Sequence, residues 1–269
     1  MQSNLFFLLK VKLAVSWGLV SRVTPFSKSR RVLKYPPPTT LIGALSYPIN
    51  YFLKKPENIS HYLSSANILK GVVVSAHASL NASATIVGDI NRVYWYHLAR
   101  KMAKTDAVAL EKIYLTCKNG LEFPILNVIY VIDPEKMRKV LDAQWDSVLK
   151  ALAWSINRIG QKESMVSVVD VSTAKAAPLN LKVIETSYYI PFPIVESIIE
   201  GEYTIENYVP PVTDIGEYTG VPRIPYIIPY SFIKSNQTRV KLKVKENAVV
   251  LKINGEYVAF PKEWIMEGG

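Results

Sequence analysis

The segment from Asp133 to Gly160 restricts the fold most, because it has the pattern of one long amphipathic helix. Asp133 and Pro134 are typical of a helix start, and Gly160 is typical of a helix end. Between them, apolar residues recur at spacings of three and four, at Met137, Leu141, Trp145, Val148, Leu152 and Ile156. The next residues, SMVSVVDVST, alternate as a half-buried strand does. We therefore predict a helix over 133–160 followed by a strand.

The N-terminal region predicts a second strand and helix. Residues 7–17 are apolar at every odd position, and the even positions include Lys10 and Lys12. The predicted strand therefore has one buried face and one basic face. Thr39 and Thr40 are predicted N-caps of a helix that Pro48 should kink or end.

Two or three further strands are expected between the helices. GVVVSAHASL indicates one strand, and the segment around Asn119 and Gly120 indicates a hairpin that leads into the apolar strand ILNVIYVI. The resulting order is strand, helix, strands, helix, strand. We predict an α+β fold with a ferredoxin-like, RRM-like domain over residues 1–172. Residues 173–269, in which proline, tyrosine and isoleucine are frequent, predict a β-rich C-terminal domain with a tight turn at Asn254 and Gly255.

Positive charge is concentrated near the N-terminus. The chain has 32 Lys and Arg against 22 Asp and Glu, a net charge of +10, and nine cations precede Glu57, the first acidic residue. Five of these cations fall in a predicted loop, residues 22–34, which we call the basic loop: Arg22, Lys28, Arg30, Arg31 and Lys34. Such a loop can follow a phosphate backbone, with Lys10 and Lys12 extending the contact. The alternatives are a solvated loop or a surface that docks an acidic protein.

Two other segments are candidate RNA contacts. RVYWYHLARK interleaves aromatic rings with cations, as single-stranded RNA binding requires, although such rings also fill cores and interfaces. RIGQKES offers backbone amides and short polar donors after a helix, although it also fits an ordinary turn. The candidate residues are Arg92, Tyr94, Tyr96, Arg100, Lys101, Arg158, Gln161, Lys162 and Ser164.

Enzyme chemistry has little support in the sequence. No phosphate-binding loop, dinucleotide glycine motif or hydrolase motif is present, and one cysteine with three scattered histidines predicts no metal and no cofactor. Metal-independent RNA cleavage, with His97 near Tyr96 and Lys101, is the one catalytic alternative. The sequence has no secretory signal or membrane span, so we expect a soluble, cytoplasmic protein that does not contact a membrane.

The segment YPPPTTLIGALSYPINYFLKK resembles the approach to the first helix in the CRISPR-associated Cas-five family, a group of RAMP-superfamily subunits in type I effector (Cascade) complexes. Arg158, Ile159 and Gly160, followed by Lys162, Glu163 and Ser164, resemble the family's motif after its second helix. The two motifs lie in the family's order within residues 5–172. The general character is similar to the archaeal type I-A branch.

The resemblance implies an RNA-binding subunit of an antiviral defence complex. Such a subunit holds the five-prime handle of the CRISPR RNA (crRNA), caps the backbone filament, and contacts the backbone RAMP subunit and the large subunit, with target DNA involved at most indirectly. Two alternatives stay open: an endoribonuclease that processes CRISPR repeat RNA, as in the type I-C branch, and a scaffold subunit that contacts protein only.

Overall fold

The computed structural model describes residues 5–16, 18–21, 31–60, 63–116, 123–161, 163–216, 221–231 and 238–267. Within these residues the chain forms an α+β fold of antiparallel sheets and four α-helices. None of the described helices has the length and apolar character needed to cross a membrane.

A four-stranded antiparallel sheet confirms the predicted ferredoxin-like topology. Its spatial order is β3-β6-β1-β7, so β1, the first strand of the chain, lies between β6 and β7, the third and fourth strands of the motif. This is the order that a βαββαβ unit produces. The four strands are β1 (Phe6–Val15), β3 (Val73–Leu80), β6 (Ile125–Ile132) and β7 (Val166–Ala176).

Three helices cover one face of this sheet. They are α1 (Pro38–Phe52), α2 (Pro134–Leu141) and α3 (Trp145–Ala153). The ring of Phe7 meets that of Trp145 edge-on at 4.7 Å between centroids, and the Tyr130 hydroxyl donates to the Leu41 carbonyl at 3.0 Å. Because side chains alternate along a strand, the odd-numbered residues of β1 face the helices and Lys10 and Lys12 face away from them.

The helix boundaries differ from those predicted. Helix α1 begins at Pro38, with Pro37 as an N-cap that makes no side-chain hydrogen bond, and it continues through Pro48 to Phe52. The expected single helix over 133–160 is two helices, separated where Asp142 takes a φ of 64°. Asp133 caps the first of them as predicted. Apolar periodicity missed the break because Met137, Leu141, Trp145, Leu149 and Ala153 stay on one buried face across it.

A long hairpin projects from the ferredoxin-like sheet. Its strands are β4 (Ser83–His97) and β5 (Met102–Thr116), and a short strand, β2 (Gly18–Leu19), pairs with the base of β5. The predicted hairpin between 111–116 and 125–132 is therefore wrong, because β5 pairs with β4 while β6 lies between β1 and β3. The predicted turn at Asn119 and Gly120 lies outside the described residues. From Ile86 to His97 the arm extends about 35 Å at the usual rise of a strand.

The C-terminal part is β-rich, as expected. It comprises β8 (Val183–Thr186), β9 (Ile190–Pro191), β10 (Val195–Glu200), β11 (Tyr203–Tyr208), β12 (Ile224–Pro229), β13 (Val240–Val244), β14 (Ala248–Ile253), β15 (Glu256–Pro261) and the short helix α4 (Trp264–Glu267). Asn254 and Gly255, with φ values of 49° and 82°, form the predicted turn between β14 and β15.

The two parts share buried side chains. The ring of Phe6 contacts that of Phe260 edge-on at 5.8 Å, and one apolar cluster contains residues on both sides of residue 172. Strand β7 itself continues to Ala176. The division after residue 172 stays a prediction.

Candidate nucleic-acid interface

The C-terminal end of the basic loop is held by two carboxylates. The backbone N–H of Val32 donates to Glu111 Oε2 at 3.0 Å, and the backbone N–H of Lys34 donates to Glu206 Oε1 at 3.0 Å. Burial raises the pKa of Glu206, and the hydrogen bonds from Lys34 and Tyr208 oppose that shift. Charge-assisted bonds of this kind are stronger than neutral ones, so they fix the chain where it enters α1.

The cations of the basic loop have different surroundings. Arg31 is exposed, whereas Lys34 places its ammonium 4.6 Å from the centre of the Tyr230 ring and 3.3 Å from Thr204 Oγ1. Arg22, Lys28 and Arg30 lie outside the described residues. Lys34 therefore contributes to packing, and Arg31 is the described loop cation that faces solvent.

The RIGQKES segment forms a tight turn against residues 20–21, which precede the basic loop. The Ile159 N–H donates to the Ser164 carbonyl at 3.0 Å, and the Ser164 N–H donates to the Gln161 carbonyl at 3.0 Å. The buried Ser164 hydroxyl accepts the backbone N–H of Val20 at 2.8 Å. Lys162 lies outside the described residues. This turn thus joins Val20, 144 residues away in sequence, to the segment that leads into β7.

Gly160 is the closest point of this junction. Its φ of +91° is one that glycine adopts readily, and a Cβ built there would lie 3.0 Å from the Val20 carbonyl oxygen and 3.4 Å from Thr40 Cγ2. Residues 20–21, the turn at 158–164 and the first turn of α1 therefore meet at one place. The Leu33 N–H donates to the Ser21 carbonyl at 2.8 Å, so the C-terminal end of the basic loop lies beside this junction.

A groove of about 440 Å³ opens beside this junction. We call it the α1 groove; one wall is the face of α1 from Thr39 to Asn50, and the other includes residues 157–160. The guanidinium of Arg158 lies 5.4 Å from the centre of the Tyr47 ring and 3.3 Å from a carboxylate oxygen of Glu57. Tyr47 and Asn50 could not be predicted as groove residues from the sequence, because their position depends on packing between distant segments.

Lys10 and Lys12 lie away from this junction, on the sheet face that the β14–β15 hairpin approaches. Burial lowers the pKa of Lys10, while the carboxylate of Glu256 opposes that shift. Lys12 forms an exposed ion pair with Asp170 at 3.5 Å. The α1 groove and these lysines are therefore on opposite sides of the sheet.

The aromatic segment lies on the projecting arm. Tyr94 and Tyr96 share one face of β4 and are 76% and 56% exposed, and small residues, Thr105 and Ala103, lie opposite them on β5. Arg92 also lies in β4, and Arg100 and Lys101 are exposed at the tip. The arm thus presents rings and cations to solvent. These residues are distant in sequence from those that line the α1 groove.

The histidines differ in their access to solvent. His97 is at the tip of the arm, where its Nδ1 accepts the backbone N–H of Arg100 at 3.3 Å. His77 is buried between the Tyr189 carbonyl and the Ser75 hydroxyl, each 3.0 Å away, and burial lowers its pKa to about 4. His61 lies outside the described residues. Of the two described histidines, only His97 is placed where RNA could reach it.

Comparisons with known proteins find CRISPR-associated relatives. No family model matches the chain. CRISPR-associated protein Cas5 3 of Saccharolobus solfataricus is 28% identical over 253 residues, covering 93% of this chain and 98% of the relative. CRISPR system aCascade subunit Cas5 1 of the same organism is 29% identical over 257 residues, with the same coverage. The chain is similar along nearly its whole length to these two proteins of the CRISPR-associated Cas5 family.

A solved structure shares the fold of this chain. The crystal structure of a CRISPR protein from Archaeoglobus fulgidus has a TM-score of 0.61 and 22% identity, covering 95% of this chain and 99% of that one. The predicted resemblance to the Cas5 family is confirmed. The assignment to the type I-A branch stays a prediction.

Proposed function

We propose that this Cas5 protein is a subunit of a CRISPR RNA-guided Cascade complex and that it holds the five-prime handle of the crRNA without cutting it. One of its relatives is named as an aCascade subunit, and that relative matches along nearly its whole length. The observation that supports RNA binding best is the convergence of the basic loop, the turn at 158–164 and the N-terminus of α1.

Each part of this convergence suits a phosphate backbone. The basic loop carries five cations within 13 residues, and Arg158 adds another on the opposite wall of the α1 groove. Helix α1 has no capping side chain, and the positive end of its dipole faces the same region. RNA lying along this surface would meet positive charge from three separate segments.

The projecting arm provides a second candidate contact. Exposed Ile90, Tyr94 and Tyr96 share one face of β4, and Arg100 and Lys101 lie at its tip. We propose that the arm reaches beyond the ferredoxin-like sheet to the RNA and to the neighbouring backbone subunit. The large subunit is the other partner proposed, and exposed Tyr203 and Ile205 of β11 offer an apolar surface for protein contact.

The test is the salt dependence of binding to labelled CRISPR repeat RNA, with the integrity of the RNA followed by gel. If five to eight phosphates are contacted, the slope of log affinity against log salt should be about −4 to −6. Replacing Arg30 and Arg31 together by alanine should reduce that slope by about 1.4. The double change Lys241→Ala with Lys243→Ala, on a C-terminal strand, is the matched control that should leave it unchanged.

Two results would overturn the proposal. A slope near zero would remove the electrostatic argument and favour a scaffold that contacts only protein. Cleavage of the repeat RNA without metal, abolished by His97→Ala, would make the protein an endoribonuclease.

A further inference from the structure

A depression with exposed aromatic rings lies where the C-terminal ends of α1 and α3 meet. Its volume is about 460 Å³, and we call it the α1–α3 hollow. Tyr47, Tyr51 and Phe52 line it and are 44%, 81% and 54% exposed. The other residues that line it are Pro48, Lys54, Leu152 and Ser155. Single apolar side chains on a surface need no explanation, but a contiguous exposed apolar surface marks a binding site.

Lys54 occupies a backbone position that usually holds glycine. Helix α1 ends in a Schellman turn, in which the Lys54 N–H donates to the Tyr51 carbonyl at 3.1 Å and the Lys55 N–H donates to the Asn50 carbonyl at 2.8 Å. The φ of Lys54 is 54°, a value that glycine adopts without the steric cost that a Cβ adds. Backbone strain of this kind is concentrated at functional sites. The turn does not require a lysine side chain, so the strain points to a function for that side chain in the hollow.

The charge of the hollow comes from one cation. Among the described residues that line it, only Lys54 is charged, and no described carboxylate forms an ion pair with the Lys54 ammonium. Glu57, nearby in sequence, pairs instead with Arg158 at 3.3 Å. An apolar depression beside an unpaired cation is complementary to an apolar side chain that has a carboxylate next to it.

A second copy of the chain and RNA both match the hollow less well. A twofold contact would bring two hollows together, and the described residues that line them supply a cation from each copy and no carboxylate. RNA needs a row of cations along its phosphate backbone, and the hollow offers one. Tyr47 and Tyr51 line both the hollow and the α1 groove, whereas Phe52 and Lys54 line only the hollow. Changes at Phe52 and Lys54 can therefore test the hollow separately from the groove.

We propose that the α1–α3 hollow docks a short segment of a partner protein, which inserts an apolar side chain beside Phe52 and places a carboxylate next to Lys54. Tyrosine and phenylalanine are enriched at the centres of protein interfaces, and an apolar anchor in such a depression supplies much of the binding energy. This inference goes beyond the proposed RNA binding and does not depend on it.

The test uses a phage-displayed library of random peptides of about 12 residues, the length of roughly three helical turns. Peptides are selected on the full chain and then depleted on the Phe52→Ala variant, so that those retained are directed to the hollow. The retained sequences should combine an aromatic or aliphatic residue with Asp or Glu. By anisotropy, Phe52→Ala should bind a labelled retained peptide at least about tenfold more weakly than the wild type. Phe192→Ala, the same change at a 40% exposed ring that does not line the hollow, is the matched control and should bind it as the wild type does.

Changes at Lys54 test the carboxylate contact, which the selection does not impose. Lys54→Gly suits the turn and should weaken binding about two- to fivefold, the range of one exposed ion pair. Lys54→Glu should weaken it about tenfold, and a peptide with its carboxylates replaced by lysine should bind this variant more tightly than the wild type. Lys241→Glu, the same charge reversal on β13, is the control and should change neither affinity.

Four results would overturn the proposal. They are the retention of no peptide, retained peptides that lack carboxylates, equal affinity of a retained peptide for the wild type and Lys54→Glu, and failure of the lysine-containing peptide to prefer Lys54→Glu. Self-association of the wild type in sedimentation, lost in Phe52→Ala, would assign the hollow to a second copy instead. Weaker binding of repeat RNA by Phe52→Ala than by Phe192→Ala would assign it to RNA.

Discussion

Replacing Gly160 by alanine should weaken the junction between the basic loop and the turn at 158–164. At a φ of +91°, alanine is strained by about 1–2 kcal/mol, the cost of left-handed backbone for an L-residue. Its Cβ would also lie 3.0 Å from the Val20 carbonyl oxygen, and relieving that crowding costs about 1–2 kcal/mol more. The free energy of unfolding should therefore fall by about 2–4 kcal/mol.

Urea denaturation of the two proteins measures this difference, and the melting temperature should fall by roughly 5–15 °C. Gly43→Ala is the matched control, because it makes the same chemical change in a helix with open space around the new methyl group. That variant should be more stable than the wild type by about 0.5–1 kcal/mol. A Gly160→Ala protein as stable as the wild type would refute the close contact between Gly160 and Val20.

Three other predictions follow from side chains described above. Tyr94→Ala combined with Tyr96→Ala should change the unfolding free energy by less than about 1 kcal/mol, because both rings are exposed. The same double variant should bind RNA at least about fivefold more weakly when binding is measured by anisotropy, and unchanged affinity would exclude stacking. Because the folded protein holds His77 neutral with a pKa of about 4, the unfolding free energy should fall by up to about 3 kcal/mol as the pH drops from 6.5 to 4. The His77→Gln variant should lose this pH dependence, and a variant with the same pH profile as the wild type would contradict the prediction. Glu206→Ala leaves the Lys34 N–H without its acceptor and should lower the unfolding free energy, measured by urea denaturation, by about 2–4 kcal/mol. Glu206→Gln should lower it by less, and equal stability of all three proteins would show that Glu206 does not hold the loop.

The ferredoxin-like topology could be predicted because its strands and helices bury one face each. Alternation in β1 and the repeat that begins at Met137 both reflect that burial, and they survive in the structure. The same reasoning failed at Asp142, because a short break that preserves the buried face leaves no trace in the apolar pattern. It also failed for the arm, whose strands project into solvent and whose turn at Lys101 contains no glycine.

The candidate site was predictable only in part. Cationic and aromatic residues can be recognised in a sequence by their type, so the basic loop and the segment with Tyr94 could be selected as candidate RNA contacts. Their surroundings were not visible: the contact of Val20 with Ser164 spans 144 residues, and Lys34 packs on Tyr230. Asn50 and Gly43 gave no signal, because an ordinary helix can contain both, and only the packing of α1 beside residues 157–160 makes them a groove.

Competition between two RNAs tests the central claim most directly. The purified full-length protein would be bound to labelled crRNA that carries its five-prime handle, then challenged with unlabelled crRNA of the same length whose handle sequence is scrambled. If the protein holds the handle, the intact handle should compete more strongly than the scrambled one, and the RNA should remain uncut. Equal competition by the two RNAs would contradict handle recognition.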